Sequence, residues 1–133
     1  MREINRSNKP FPARHFGASL LYAFRGLRDA FNAERNFRTH TMLALLAIGL
    51  GFYLCLATWE WVTLLLCIGF MLAMELLNTA IEGLVDIWAG TDIDERARRI
   101  KDISAGACLV TAAAVGLVGL ILFVPHLPNN IYK

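Results

Sequence analysis

Lysine and arginine are absent from Thr39 to Glu95, and again from Ile103 to Tyr132. A net charge of +2 is therefore held in two basic segments, not spread over a surface. Such asymmetry speaks of membrane orientation, and no nucleic-acid partner is expected. Paired cysteines are also missing. Cys55, Cys67 and Cys108 are odd in number, show no C-x-x-C spacing and fall in apolar stretches, which suits small buried residues better than a disulfide or metal framework. The first 40 residues hold no continuous apolar run, so no cleavable signal peptide is expected. Familiar nucleotide signatures are lacking too. There is no G-x-x-x-x-G-K-[ST] loop, no dinucleotide glycine fingerprint and no protein-kinase catalytic loop.

What is present is apolar. Of 133 residues, 56% are hydrophobic, and the mean hydropathy is +0.48. A soluble domain of this size cannot hide that much apolar surface; a bilayer removes the difficulty. The chain reads as one all-α membrane domain over 1–133. Residues 1–13 form a flexible tail, in which Pro10 and Pro12 oppose a helix. Over 15–36, Phe16, Leu20, Phe24, Leu27 and Phe31 recur at helical steps while Arg25, Arg28 and Arg35 fill other faces. This is an amphipathic helix for the membrane interface, or one packed on a soluble partner. Three spans are predicted at 41–57, 61–88 and 103–124, the last rich in alanine and glycine. The basic segments precede the first span and follow the second, so the N-terminus is cytoplasmic and the C-terminus outside.

The informative stretch lies late in the second span. Glu75, Asn78, Thr79, Glu82 and Asp86 share one helical face. Ionisable groups inside a span are costly and face a cavity or partner. Glu75 falls roughly 21 Å along the helix from Trp61, about two-thirds of the way across a ~30 Å hydrocarbon core. Glu82 is near the cytoplasmic headgroups and Asp86 at the water. Glu34, Lys101 and Asp102 face the same boundary. Alone, Glu34 reads as an ion pair with Arg38 at i+4, and Lys101–Asp102 as an interfacial anchor. Together with the stripe they supply what phosphoryl transfer needs: carboxylates for Mg²⁺ and a cation for phosphate. A proton or cation path through a small transport subunit would use the same acids.

Three blocks of residues resemble the small prokaryotic diacylglycerol kinase family, which includes undecaprenol kinases. They are Ala23-Phe24-Arg25-Gly26-Leu27-Arg28 through Glu34-Arg35-Asn36, Glu75-Leu-Leu-Asn78-Thr79-Ala80-Ile81-Glu82 through Asp86, and Lys101-Asp102-Ile103-Ser104-Ala105-Gly106-Ala107. The resemblance runs from Tyr22 to Pro125. It implies an ATP- and Mg²⁺-dependent lipid kinase of the bacterial inner (cytoplasmic) membrane, a homotrimer with active sites between protomers. It implies Glu75 as catalytic base and Glu34 and Glu82 as ligands of the metal. Tyr22, Glu34, Glu82, Asp86, Lys101 and Asp102 would meet the nucleotide. Asn78, Glu75 and Ala105 would meet the lipid alcohol, which is expected to be undecaprenol with diacylglycerol as the alternative. Two departures stand out. The loop Gly90–Arg96, from which members of the family contact nucleotide phosphates, differs from the family pattern by one extra residue, and the family's N-terminal arginine falls at Arg14 or, by spacing, at His15.

Overall fold

The computed structural model describes residues 16–90 and 94–127. The expected tail, the Arg14 or His15 assignment and Thr91–Ile93 of the loop lie outside them. The described chain is helical: α1 (Phe16–Ala33), α2 (Arg35–Tyr53), α3 (Thr58–Ala89), α4 (Glu95–Phe123) and a terminal 3₁₀ turn (Val124–His126). No strand occurs among the described residues. The helices α3 and α4 share the largest interface; α2 packs on α3, and α1 on α2 with a smaller contact to α3.

The predicted helix over 15–36 ends three residues early. Glu34 is extended, at φ −99° and ψ 118°, and splits α1 from α2. Arg38 stabilises this break. Its guanidinium donates to the carbonyls of Phe31 (3.2 Å) and Asn32 (2.8 Å), which the end of α1 would otherwise leave without partners. The expected Glu34–Arg38 ion pair gives way to this cap.

The first predicted span also stops early, at Tyr53 rather than Ala57. A Schellman turn closes α2. Leu56 N–H donates to Gly51 O at 3.1 Å and Cys55 N–H to Phe52 O at 3.3 Å, with Cys55 left-handed at φ 54°. Gly51 is required here for space. A Cβ on it would lie 3.0 Å from the Trp61 ring and 3.1 Å from Leu56. The stretch from Thr41 to Tyr53 is roughly 20 Å long.

Across the turn, Glu60 caps the start of α3 by accepting from the Ala57 N–H at 2.7 Å. Its carboxylate also lies 3.4 Å from His126 Nε2, which fastens the end of α4 to the start of α3. Leu56, Leu64 and Leu122 are buried together beside this clasp, with Trp61, Val118 and Phe123 against them.

At the other end, α4 begins at Glu95, well before the predicted third span at 103. Asp94 caps it, accepting from the Arg96 N–H at 2.8 Å. That backbone hydrogen bond, with the Arg96 side chain, holds the Asp94 carboxyl below its ordinary range. Part of the polar loop foreseen from the sequence is thus the first turn of a helix.

Among the described residues, two helices are long and apolar enough to cross a membrane. The segments Thr58–Ala89 and Glu95–His126 have peak mean hydropathies of 2.0 and 2.6. Their faces are open: Leu65, Leu66, Phe70, Leu109, Val110, Leu117 and Ile121 are all exposed. A monomer in water does not present an apolar surface of this extent.

Candidate active site

The carboxylate stripe of α3 faces the groove where α2 and α4 meet it. Glu75 is only 5% exposed although it is ionisable. From α2, His40 Nε2 lies 3.4 Å from Glu75 Oε1. One turn along α3, Asn78 has both ends of its amide in use. Its Nδ2 donates to Glu82 Oε1 at 2.8 Å, and its Oδ1 accepts from the buried Ser104 Oγ of α4 at 2.5 Å. The chain Ser104–Asn78–Glu82 fixes the amide orientation and leaves one Glu82 oxygen outside this bond. Thr79 shares the face but donates to the backbone carbonyl of Glu75 at 3.0 Å. Cys108 of α4 lies over the same turn, its thiol 3.4 Å from Met74 O.

Further along, Lys101 of α4 pairs with Asp86 of α3 at 2.5 Å, joining two of the expected nucleotide residues. Asp102 is directed elsewhere, to Arg98 at 3.1 Å, and Arg98 is shared with Glu95. The helix geometry explains the split, because neighbours in a helix point about 100° apart. Lys101 therefore turns to α3 while Asp102 turns outward. Tyr22 sits on α1 with the Arg25 guanidinium 5.8 Å from its ring centre. Ala105 lies exposed on α4.

The half-buried Glu34 stands at the α1–α2 break. A groove between α1 and α3 is lined by Gly26, Ala30, Ala33, Leu76, Thr79 and Ala80, among others. Asp29 is the one carboxylate among its lining residues, and neither Glu34 nor Glu82 lines it. Among the described residues no three His, Cys, Asp or Glu side chains converge as a metal site. A pair of carboxylates is nonetheless what Mg²⁺ uses when phosphate oxygens complete its shell.

A second cavity, of about 220 Å³, lies between α2, α3 and α4. Its walls are apolar, including Leu64, Met71, Val115 and Leu122, and His40 is at its edge. Sequence reasoning missed His40 and gave Ser104 no role. His40 had a faint signal as the titratable residue at the mouth of the first apolar run.

Known proteins carry the same pattern. The sequence profile of the prokaryotic diacylglycerol kinase family matches residues 21–123. The undecaprenol kinase of Bacillus subtilis is 38% identical over 112 residues, covering 84% of this chain and 90% of that one. The diacylglycerol kinase of Haemophilus influenzae is 36% identical over 110 residues, covering 82% and 92%. That of Synechocystis is 38% identical over 109 residues, 82% of this chain and 62% of the longer relative. A carboxylate stripe with a buried glutamate at its head, set in a sequence matched over most of its length, places this chain in the prokaryotic diacylglycerol kinase family as an ATP-dependent lipid kinase.

Proposed function

We propose that this kinase phosphorylates undecaprenol at the cytoplasmic face of the bacterial inner membrane, with Glu75 as the base. The observation that carries the reading is the burial of Glu75 within the apolar helix α3, on one stripe with Asn78 and Glu82. The lipid hydroxyl approaches Glu75, which takes its proton as the oxygen attacks the γ-phosphorus of ATP. The new bond joins the lipid oxygen to phosphorus, the bond to the β-phosphate oxygen breaks, and ADP leaves. Glu34 and Glu82 would hold the Mg²⁺ that accompanies ATP, and its charge would offset that of the phosphate oxygens. Asn78 keeps Glu82 oriented, and Lys101 and Asp86 meet the nucleotide at the water. Asp102, Tyr22 and Ala105 belong to the wider site by resemblance alone.

The proposed assembly is a homotrimer with α1 in the interface and α2, α3 and α4 spanning. The exposed apolar faces of the helices support it, since lipid and neighbouring copies can both cover them. The turn Leu54–Ala57 and the basic first turn of α2, with Arg35 and Arg38, extend the reach of the short α2.

The choice of undecaprenol rests on two supports. Residues Asn78-Thr79, Glu34-Arg35-Asn36, Gly51-Phe52-Tyr53 and Ile103–Ala107 resemble the branch that holds undecaprenol kinases. A polyprenol also has no ester carbonyls, so its groove needs few donors at depth. From Val62 to Ala73, α3 offers only Thr63 and Cys67, and the Thr63 hydroxyl is committed to Trp59 O at 3.0 Å. Phosphorylation rates in mixed micelles, with each lipid at matched surface concentration, test the choice. The higher kcat/KM is expected for undecaprenol; a higher value for diacylglycerol overturns it.

A further inference from the structure

We propose that His40 is a positioning residue that orients the Glu75 carboxylate toward the lipid hydroxyl. The inference rests on the reading of Glu75 as the base. A carboxylate buried among apolar helices needs a hydrogen-bond donor to hold one rotamer. The polar groups around Glu75 are mostly committed elsewhere. Thr79 donates to the Glu75 backbone and Asn78 is held between Ser104 and Glu82, while the Cys108 thiol lies against Met74 O and also reaches the Glu75 carboxylate. His40 reaches the carboxylate from another helix, with Nε2 3.4 Å from Oε1. An ionised carboxylate only accepts, so Nε2 carries the hydrogen. The distance exceeds that of a tight hydrogen bond. The contact can therefore yield to an incoming hydroxyl, and catalytic contacts often tighten only when substrate is bound.

The second observation is where His40 stands. Its side chain is about a quarter exposed, and it borders the apolar cavity between α2, α3 and α4. The cavity and the carboxylate thus meet at the same imidazole. A lipid alcohol with its apolar chain against Met71, Val115 and Leu122 would bring its hydroxyl to that meeting point. His40 then fixes the direction in which Glu75 presents its carboxylate, and it touches the reaction only through Glu75.

The test compares the full-length protein with His40→Ala, His40→Gln and Glu75→Gln in detergent micelles. Turnover, lipid KM, MgATP KM and thermal midpoint are measured for each. His40→Ala is expected to lower kcat about a hundredfold, the cost of a misplaced reacting group, with MgATP KM and midpoint near those of the parent. His40→Gln restores an N–H donor and is expected to recover at least about a tenth of the parent kcat. The double variant His40→Ala/Glu75→Gln should be no slower than Glu75→Gln, because residues acting as a unit are non-additive. Three results overturn the proposal: an unchanged kcat in His40→Ala, a His40→Gln variant as slow as His40→Ala, or a loss matched by an equal rise in MgATP KM. Glu75→Gln separates the two levels. If it keeps full turnover, the base assignment falls; if it is inactive while His40→Ala is fully active, only the role of His40 falls.

Discussion

At the scale of the residue, the two glutamates of the α3 stripe sit in different surroundings. Glu75 is buried with an imidazole beside it, whereas Glu82 is half-buried and bonded to a side-chain amide. The difference suits a proton acceptor in one case and a charged ligand in the other. Glu75→Gln keeps the size of the side chain but cannot take a proton. Turnover is expected to fall by at least about a hundredfold while MgATP binding persists. Glu82→Gln keeps a partner for Asn78 but removes a charge, so MgATP affinity is expected to drop first. Nucleotide binding by fluorescence or calorimetry, beside turnover, checks the division. An equal loss of affinity in both variants would contradict it. The spacing of these residues makes their common face legible in the sequence, because the rotation between i, i+3, i+4 and i+7 is set by the helix itself. His40 and Ser104 come from other helices, and no spacing rule relates them to Glu75 or Asn78.

At the scale of the element, helix ends depart most from what the sequence suggests. The apolar run reads on through Leu54, Cys55, Leu56 and Ala57 without a glycine, asparagine or proline to mark a stop. The structure nevertheless turns there, and Cys55 takes the left-handed position that glycine usually fills. A side chain in that conformation costs roughly 1–2 kcal/mol. The turn survives because Leu56 folds back onto Gly51 and Trp61 closes over it; the Phe52 and Trp61 ring centres are 4.6 Å apart. Cys55→Gly is therefore expected to stabilise the protein by about 0.5 kcal/mol, after allowing for the greater freedom of glycine in the unfolded chain. Cys55→Val should destabilise it, since a β-branched residue fits this region badly. Unfolding midpoints in micelles should run Gly, Cys, Val from highest to lowest; any other order argues against strain at this turn. The break at Glu34 is similar in kind. Its cap comes from Arg38, a residue whose charge suggested an ion pair with Glu34 until its guanidinium was seen to bond the end of α1.

At the scale of the whole molecule, the distribution of charge and of apolar surface must agree on one orientation. Arg96, Arg98, Arg99 and Lys101 gather at the start of α4, at the same end of the α3–α4 pair as the Lys101–Asp86 bridge. The Glu60–His126 clasp marks the opposite end. The lysine and arginine bias predicts that the first end is cytoplasmic. Single cysteines at Asn5 and Asn130, in a background with Cys55, Cys67 and Cys108 replaced, test this in intact cells. A membrane-impermeant reagent is expected to label position 130 and not position 5; the reverse pattern would refute the orientation.

The sequence alone determined the helical class, two of its three predicted spans as long apolar helices, and the common face of Glu75, Asn78 and Glu82. Each follows from local quantities: hydropathy summed over a window, and a fixed rotation per residue. The family blocks lay in the sequence as well. What the tertiary structure decided is which helix meets which. The approach of His40 to Glu75 and the bond from Ser104 to Asn78 depend on α2 and α4 packing against α3. So do the pairing of Lys101 with Asp86 and the clasp of Glu60 with His126. Such contacts depend on the relative rotation and height of packed helices. That register is set by side-chain volumes at the interface, such as Gly51 against Trp61, and not by the period of any one segment.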